Sequence, residues 1–124
     1  MADTFEHLEV WKKSVEFSVH VYELVRSFPA HEQFGLSSQL RRAVVSVSSN
    51  IAEGSGRSGV ADKCRFVEIA IGSLCEVESQ LYIAEKLQYI SNEQLATVLL
   101  RAKEVENLLG GYKRYLKGHK QRSR

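Results

Sequence analysis

Residues Leu36–Gly59 read LSSQLRRAVVSVSSNIAEGSGRSG. Leu36, Leu40, Ala43/Val44, Val47 and Ile51 recur at three- and four-residue steps, the spacing of a single core-facing stripe on an α-helix. On the far side Gln39, Arg42, Ser46, Ser49 and Glu53 line up at the same spacing, with Asn50 at their edge. That row is either a solvated face or a polar interface. Ser37 is the candidate N-cap, and the helix is expected to end near Gly54. The GSGRSG that follows reads as a flexible connector. It lacks the Lys-Ser/Thr ending of a phosphate-binding P-loop and follows a helix rather than a strand.

Toward the N-terminus, a helix is expected from about Thr4 to Phe28, stopped by Pro29, which disfavours helical geometry in the residue before it. It carries two apolar rows, Leu8, Trp11, Val15, Tyr22 and Val25, and Val10, Phe17, Val21, Leu24 and Phe28, with Ser14 and Ser18 between them. Together they cover roughly 220° of the helical wheel, more than a surface helix of a monomer needs. The excess points to a second surface to bury, most simply another copy of the chain.

Toward the C-terminus, the segment from about Val60 to Gln88 is apolar on nearly every side, as in a helix buried at the centre of an assembled particle. Gly72 and Ser73 are small enough for close helix approach, and Glu76 shares a side with Ile69, Gly72 and Ile83. An unpaired charge there is costly if buried, so Arg41 or Arg42 is its expected partner; an exposed Glu76 is the alternative. Ser91-Asn92-Glu93-Gln94 then matches a capping box and opens a last helix. Its Leu95, Ala102, Leu109 and Leu116 repeat every seven residues, interleaved with Val98, Val105 and Tyr112, the seam of an antiparallel bundle. Gly110-Gly111 weakens that helix without ending it. Four helices with short connections and no strand-like alternation give an all-α, antiparallel up-down-up-down four-helix bundle. It is expected over residues 1–118, with 119–124 as a basic C-terminal tail.

Composition narrows the function classes. The chain's 124 residues suffice for one hydrophobic core, and 44% hydrophobic residues with a single proline exclude a disordered chain. The net charge of +2 hides an asymmetry. Residues 1–109 hold 11 Lys/Arg against 15 Asp/Glu, whereas residues 110–124 hold six Lys/Arg and no acid. No stretch reads as a secretory signal or a membrane span, so the expected compartment is the cytoplasm and no membrane partner is implied. Cys64 and Cys75 lie on one helix about 16 Å apart along its axis, too far to bridge, and read as reduced core thiols.

Chemistry is sparse. There is no G-x-S-x-G, neither cysteine has a histidine near it in sequence, and Glu76 and Glu78 point about 200° apart on a helix. His7, His20, His31 and His119 are scattered, and neither H-E-x-x-H nor a Glu-x-x-His pair occurs. No catalytic residue, metal site or cofactor is therefore assigned. Nucleic acid is the stronger prospect: Lys113, Arg114, Lys117, Lys120, Arg122 and Arg124 can neutralise phosphates, and Tyr112 or Tyr115 can stack on bases, although Tyr112 also sits on the core seam.

The combination HEQFGLSSQLRRAVVSVSSNIAEGSGR, then FVEIAIGSLCEVESQL, then a capping-box helix resembles the small bacterial four helix bundle protein family. That family includes the proteins encoded within intervening sequences of 23S ribosomal RNA genes and is related to the accessory variability determinant of diversity-generating retroelements. The likeness extends from Phe5 to about Tyr115, and its most specific pieces are Gln39–Ala43, Ser49–Gly54 and Gly72-Ser73-Leu74 with Glu76. The resemblance implies a homo-oligomer, with a ring-shaped pentamer as the expected form, and, through the retroelement relative, an RNA or an RNA-associated protein as partner. Two features depart from it: Ser48 stands where many relatives carry proline, and the body is net acidic. The family's recurrent polar residues fall on Arg41, Arg42, Asn50, Glu53 and Glu76, read first as a structural network between the second and third helices and alternatively as a ligand contact set. The function expected is that of a non-enzymatic oligomeric accessory protein contacting phosphates through the tail together with Arg41 and Arg42. The alternative is a scaffold for protein partners whose tail only solubilises the terminus.

Overall fold

The computed structural model describes residues 5–122, with side chains as far as Gly118. A 3₁₀ turn, Phe5–His7, leads into α1 (Glu9–Val25), and a second, Ala30–Glu32, precedes α2 (Leu36–Ser55). Then come α3 (Val60–Lys86) and α4 (Asn92–Arg122), with no strand among the described residues. Each helix packs against its neighbour in sequence and α1 closes the ring against α4, giving the expected antiparallel four-helix bundle. The upper pole holds the α1–α2 and α3–α4 connections. The lower pole holds the N-terminal turn, the α2–α3 connection and the C-terminal half of α4.

The apolar spacings place the core as they should. Phe17 and Val21 of α1, Leu40, Val44, Val47 and Ile51 of α2, Leu74, Val77 and Leu81 of α3, and Val98, Ala102, Val105 and Leu109 of α4 are all sealed from solvent. The heptad positions Leu95 and Leu116 are buried with them, and α4 runs unbroken through Gly110-Gly111 and on to Arg122. Its capping box is formed: the Ser91 hydroxyl accepts the Gln94 N–H at 3.0 Å, and Gln94 Oε1 accepts the Ser91 N–H at 2.8 Å.

Several local expectations are corrected. The first helix starts at Glu9 rather than Thr4 and ends at Val25. Ser27 and Phe28 already form a tightened turn, their N–H groups reaching Leu24 and Val25 carbonyls, so that Pro29 can enter extended. Ser37 is not the cap of α2. Gly35 occupies that position and Ser37 is buried in the first turn, while Glu32 Oε1 accepts the Leu36 N–H at 2.9 Å. Of the two cysteines only Cys64 is buried; Cys75 is exposed on α3. Nor is α3 covered all round in the single chain, for Ile69, Tyr82, Ile83 and Leu87 remain exposed.

Two backbone sites carry measurable consequences. A Cβ on Gly54 would lie 2.6 Å from Phe66 Cβ, so the α2–α3 approach at that point requires glycine. At the end of α3, Gln88 adopts φ 66° and closes a Schellman motif, its N–H on the Glu85 carbonyl and that of Tyr89 on the Ala84 carbonyl, both at 2.9 Å. A side chain is strained in that region, where glycine is not. Gly54→Ala is therefore expected to lower the free energy of unfolding in urea by about 1–3 kcal/mol. Gln88→Gly is expected to raise it, by roughly 0.5–1 kcal/mol.

Candidate nucleic-acid interface

The expected phosphate-binding residues fall at two separate places. At the lower pole α4 presents Lys113, Arg114 and Lys117. Lys113 Nζ lies 2.6 Å from Glu68 Oε2 on α3, a contact that holds the Glu68 carboxyl below its ordinary range. Arg114 is exposed, its guanidinium turned back along α4 toward Gly110 and Gly111. Lys117 is exposed as well. The side chains of Lys120 and Arg122, and Arg124 as a whole, lie outside the described residues. Tyr112 is half-buried on the seam, where desolvation pushes its hydroxyl pKa up, and its ring stacks on that of the exposed Tyr115 at 6.5 Å.

Three further cations reach the same pole from the α2–α3 connection, where sequence spacing gave no sign of them. Arg57 and Arg65 set their guanidiniums 4.8 and 4.7 Å from the Phe66 ring centroid, and Lys63 Nζ donates to the Ser55 carbonyl at 2.8 Å. The arginines are partly neutralised. Arg57 meets Glu53 at 3.1 Å and Asp62 at 3.8 Å, and Arg65 meets Asp62 at 2.9 Å. Only the fold brings Arg57, Lys63 and Arg65 to the same pole as a helix end some fifty residues later in the chain.

Arg41 and Arg42 stand apart from this cluster. Arg42 lies thirteen residues before Ser55, the last residue of α2, and so roughly 20 Å along the helix axis from the end that leads to Arg57. A single phosphate-binding patch therefore does not join the two sets within one chain. Arg41 donates to the Gln33 carbonyl at 3.4 Å, and Arg42 is exposed between two shallow depressions.

The polar row of α2 builds a different network from the one expected. Ser46 and Ser73 hydroxyls meet at 2.8 Å across α2 and α3, and Asn50 Nδ2 donates to the Ser46 carbonyl and hydroxyl at 2.8 and 2.9 Å. Gln80 Nε2 donates to Gln39 Oε1 at 3.3 Å and to Glu76 Oε2 at 3.2 Å. Both hydrogens of that amide thus face acceptors, leaving the buried Gln80 Oε1 without a donor. Among the described residues no ion pair includes Arg41, Arg42 or Glu76, and the exposed Glu53 pairs with Arg57. Arg41, Arg42, Asn50, Glu53 and Glu76 are accordingly neighbours along one seam, but the side-chain to side-chain links across it are made by serine and glutamine.

Residues 6–111 match the family described as 23S rRNA-intervening sequence protein. The chain belongs to this family. The curated proteins include no match to it. Among solved structures it is similar to the crystal structure of a protein with unknown function from the S23 ribosomal protein family of Bacteroides thetaiotaomicron, at 27% identity and a TM-score of 0.74. That likeness covers 84% of this chain and 97% of the other. The family resemblance expected from the HEQFGL…NIAEG and GSLCEVE segments is thereby shown, and with it the helical fold. No helix among the described residues is long and apolar enough to cross a membrane.

In this member of the 23S rRNA-intervening sequence family the upper pole is held by charge as well as packing. Glu32 caps α2, accepts the Tyr89 hydroxyl at 2.9 Å, and has His31 Nε2 3.9 Å away. The Tyr89 ring also packs on Phe28, 5.3 Å between centroids. The Leu36 N–H first, then the Tyr89 hydroxyl, hold the Glu32 carboxyl below its ordinary range. A carboxyl depressed in the folded state adds stability above its unfolded pKa, about 4.3, and that stability is lost as pH falls through the lower folded value. Wild-type urea midpoints are therefore expected to fall with pH below about 4.3. Glu32→Gln, measured over the same interval, is expected to start lower and to fall less steeply.

Proposed function

We propose that this member of the 23S rRNA-intervening sequence protein family is a non-enzymatic, homo-oligomeric accessory protein that engages RNA in the cytoplasm. The observation that carries this reading is that two chain segments bring cations to the same end of the bundle, Arg57, Lys63 and Arg65 from the α2–α3 region and Lys113, Arg114 and Lys117 from α4. Lys120, Arg122 and Arg124 follow Lys117 in the sequence. Oligomerisation would multiply this pole into a cluster of basic ends and raise the phosphate affinity of a surface that is modest in one chain. Exposed Tyr115 adds a ring on which an unpaired base can stack. A second reading, a scaffold for protein partners, draws on the ion pairs of Lys113, Arg57 and Arg65, which already spend part of that charge on Glu68, Glu53 and Asp62.

Fluorescence anisotropy with a single-stranded RNA across a salt series separates the two. Leu116 is buried, so the variants to compare with the full chain are a truncation after Gly118 and the double substitution of Arg114 and Lys117 by Ala, both of which spare the core. RNA binding is expected to weaken steeply with salt, and the double variant to reduce the log–log salt slope by roughly 1.4, about 0.7 for each lost phosphate contact. Absence of binding at low salt would leave the scaffold reading.

A further inference from the structure

We infer that copies of this chain join through two unlike faces, the apolar groove between α1 and α2 of one copy receiving the outer stripe of α3 from the next. The inference rests on the homo-oligomeric reading above and specifies its contact. The groove, about 310 Å³, is lined by Val15, Ser18, Val19, Tyr22, Val45 and Ser48. Val19 is 55% exposed, Tyr22 41% and Val45 42%, so apolar rings and methyls stand in solvent side by side. The stripe lies on the other flank of α2. Ile69, Gly72, Glu76 and Ile83 fall within about 60° of arc on α3, with Leu87 following at its C-cap and Arg65, paired with Asp62, on the same arc near its start; Ile69, Ile83 and Leu87 are each 40–49% exposed. A Cβ built on Gly72 would meet nothing within 4 Å, so the middle of the stripe is open to close approach by another helix.

Charge decides which faces pair. Arg26 borders the groove, and Arg41 and Arg42 adjoin it in a depression that shares Tyr22 and Val45 with it; Glu23 is the acid at its rim. The stripe carries Glu76, which accepts one hydrogen bond from Gln80 and takes part in no ion pair among the described residues. Groove against groove would set three arginines against three arginines. Stripe against stripe would press Glu76 toward its own copy. Groove against stripe brings the arginine rim to the carboxylate, covers the aliphatic side chains on both, and supplies a cation to Glu76, which is exposed in the single chain and would be covered by the contact. Because the two faces are different surfaces of one chain, every copy keeps one face free after a single contact, and the assembly propagates until it closes on itself.

The test uses Val19→Glu in the groove and Ile83→Glu on the stripe, both in the full chain, with helicity checked by circular dichroism and mass by light scattering on a sizing column. Wild type is expected to run as an oligomer and each variant alone as a monomer. An equimolar mixture is expected to give a 1:1 dimer, since the first variant retains its stripe and the second its groove. Should either variant lose its helicity, Tyr22→Glu and Ile69→Glu supply the same pair. A variant that assembles by itself, or a mixture that stays monomeric beside an oligomeric wild type, would overturn the pairing and leave the oligomeric reading standing. A wild type monomeric at every concentration would remove both.

Discussion

The close approach of α2 and α3 is the constraint on which the rest of this bundle depends. Gly54 admits Phe66 at a distance no side chain tolerates, and farther along the pair Ser46 and Ser73 share a hydroxyl contact. Small residues at both points let two long helices lie side by side over most of α2. The register set there has consequences on both sides of the pair. It buries Val44, Val47 and Ile51 against Leu74, Val77 and Leu81, and it leaves the polar row of α2 and the outer stripe of α3 standing in solvent. A bulkier residue at Gly54 would spread the helices where their packing begins and disturb every layer above it.

Charge is distributed by the same geometry. Antiparallel connection returns α4 to the pole where α2 ends and α3 begins, so Lys113 meets Glu68, forty-five residues away in sequence, and Arg57 and Arg65 flank Phe66 nearby. The upper pole has instead a carboxylate tie, Glu32 between the start of α2 and Tyr89. The bundle is thus polarised, basic at one end and pinned by a carboxylate at the other. Its middle carries the apolar groove and stripe on either flank of α2.

The polar seam shows why residue type alone misleads about a network. Arg42 and Glu76 have the charges of a salt bridge and line one crevice, yet the side-chain bonds across that crevice are made by neutral groups: serine on serine and glutamine on glutamine. Short hydroxyls suit helices this close, whereas long arginine side chains extend past the contact to solvent. Gln80 is the member with most at stake, buried, with both amide hydrogens committed and its oxygen without a donor.

What the sequence determined by itself follows from periodicity and local stereochemistry. The helices, the heptad seam from Leu95 to Leu116, the Ser91–Gln94 capping box and the family kinship rest on neighbours within one or two turns, and such patterns survive without knowledge of the fold. Helix ends were less legible. Ser37 has the chemistry of a cap, but its place in the first turn is buried, and Glu32 from the preceding turn serves α2 instead. Only the tertiary structure decided which distant residues share a surface. Arg57 and Arg65 joined the lower pole, Arg41 and Arg42 stayed on the first two turns of α2, Cys75 was turned outward, and two apolar faces were left uncovered on one chain. The physical reason is that these outcomes depend on the rotation of each helix about its axis and on which helix lies beside it, and those are fixed by the packing of Gly54 on Phe66 and Ser46 on Ser73 rather than by any local run of residues.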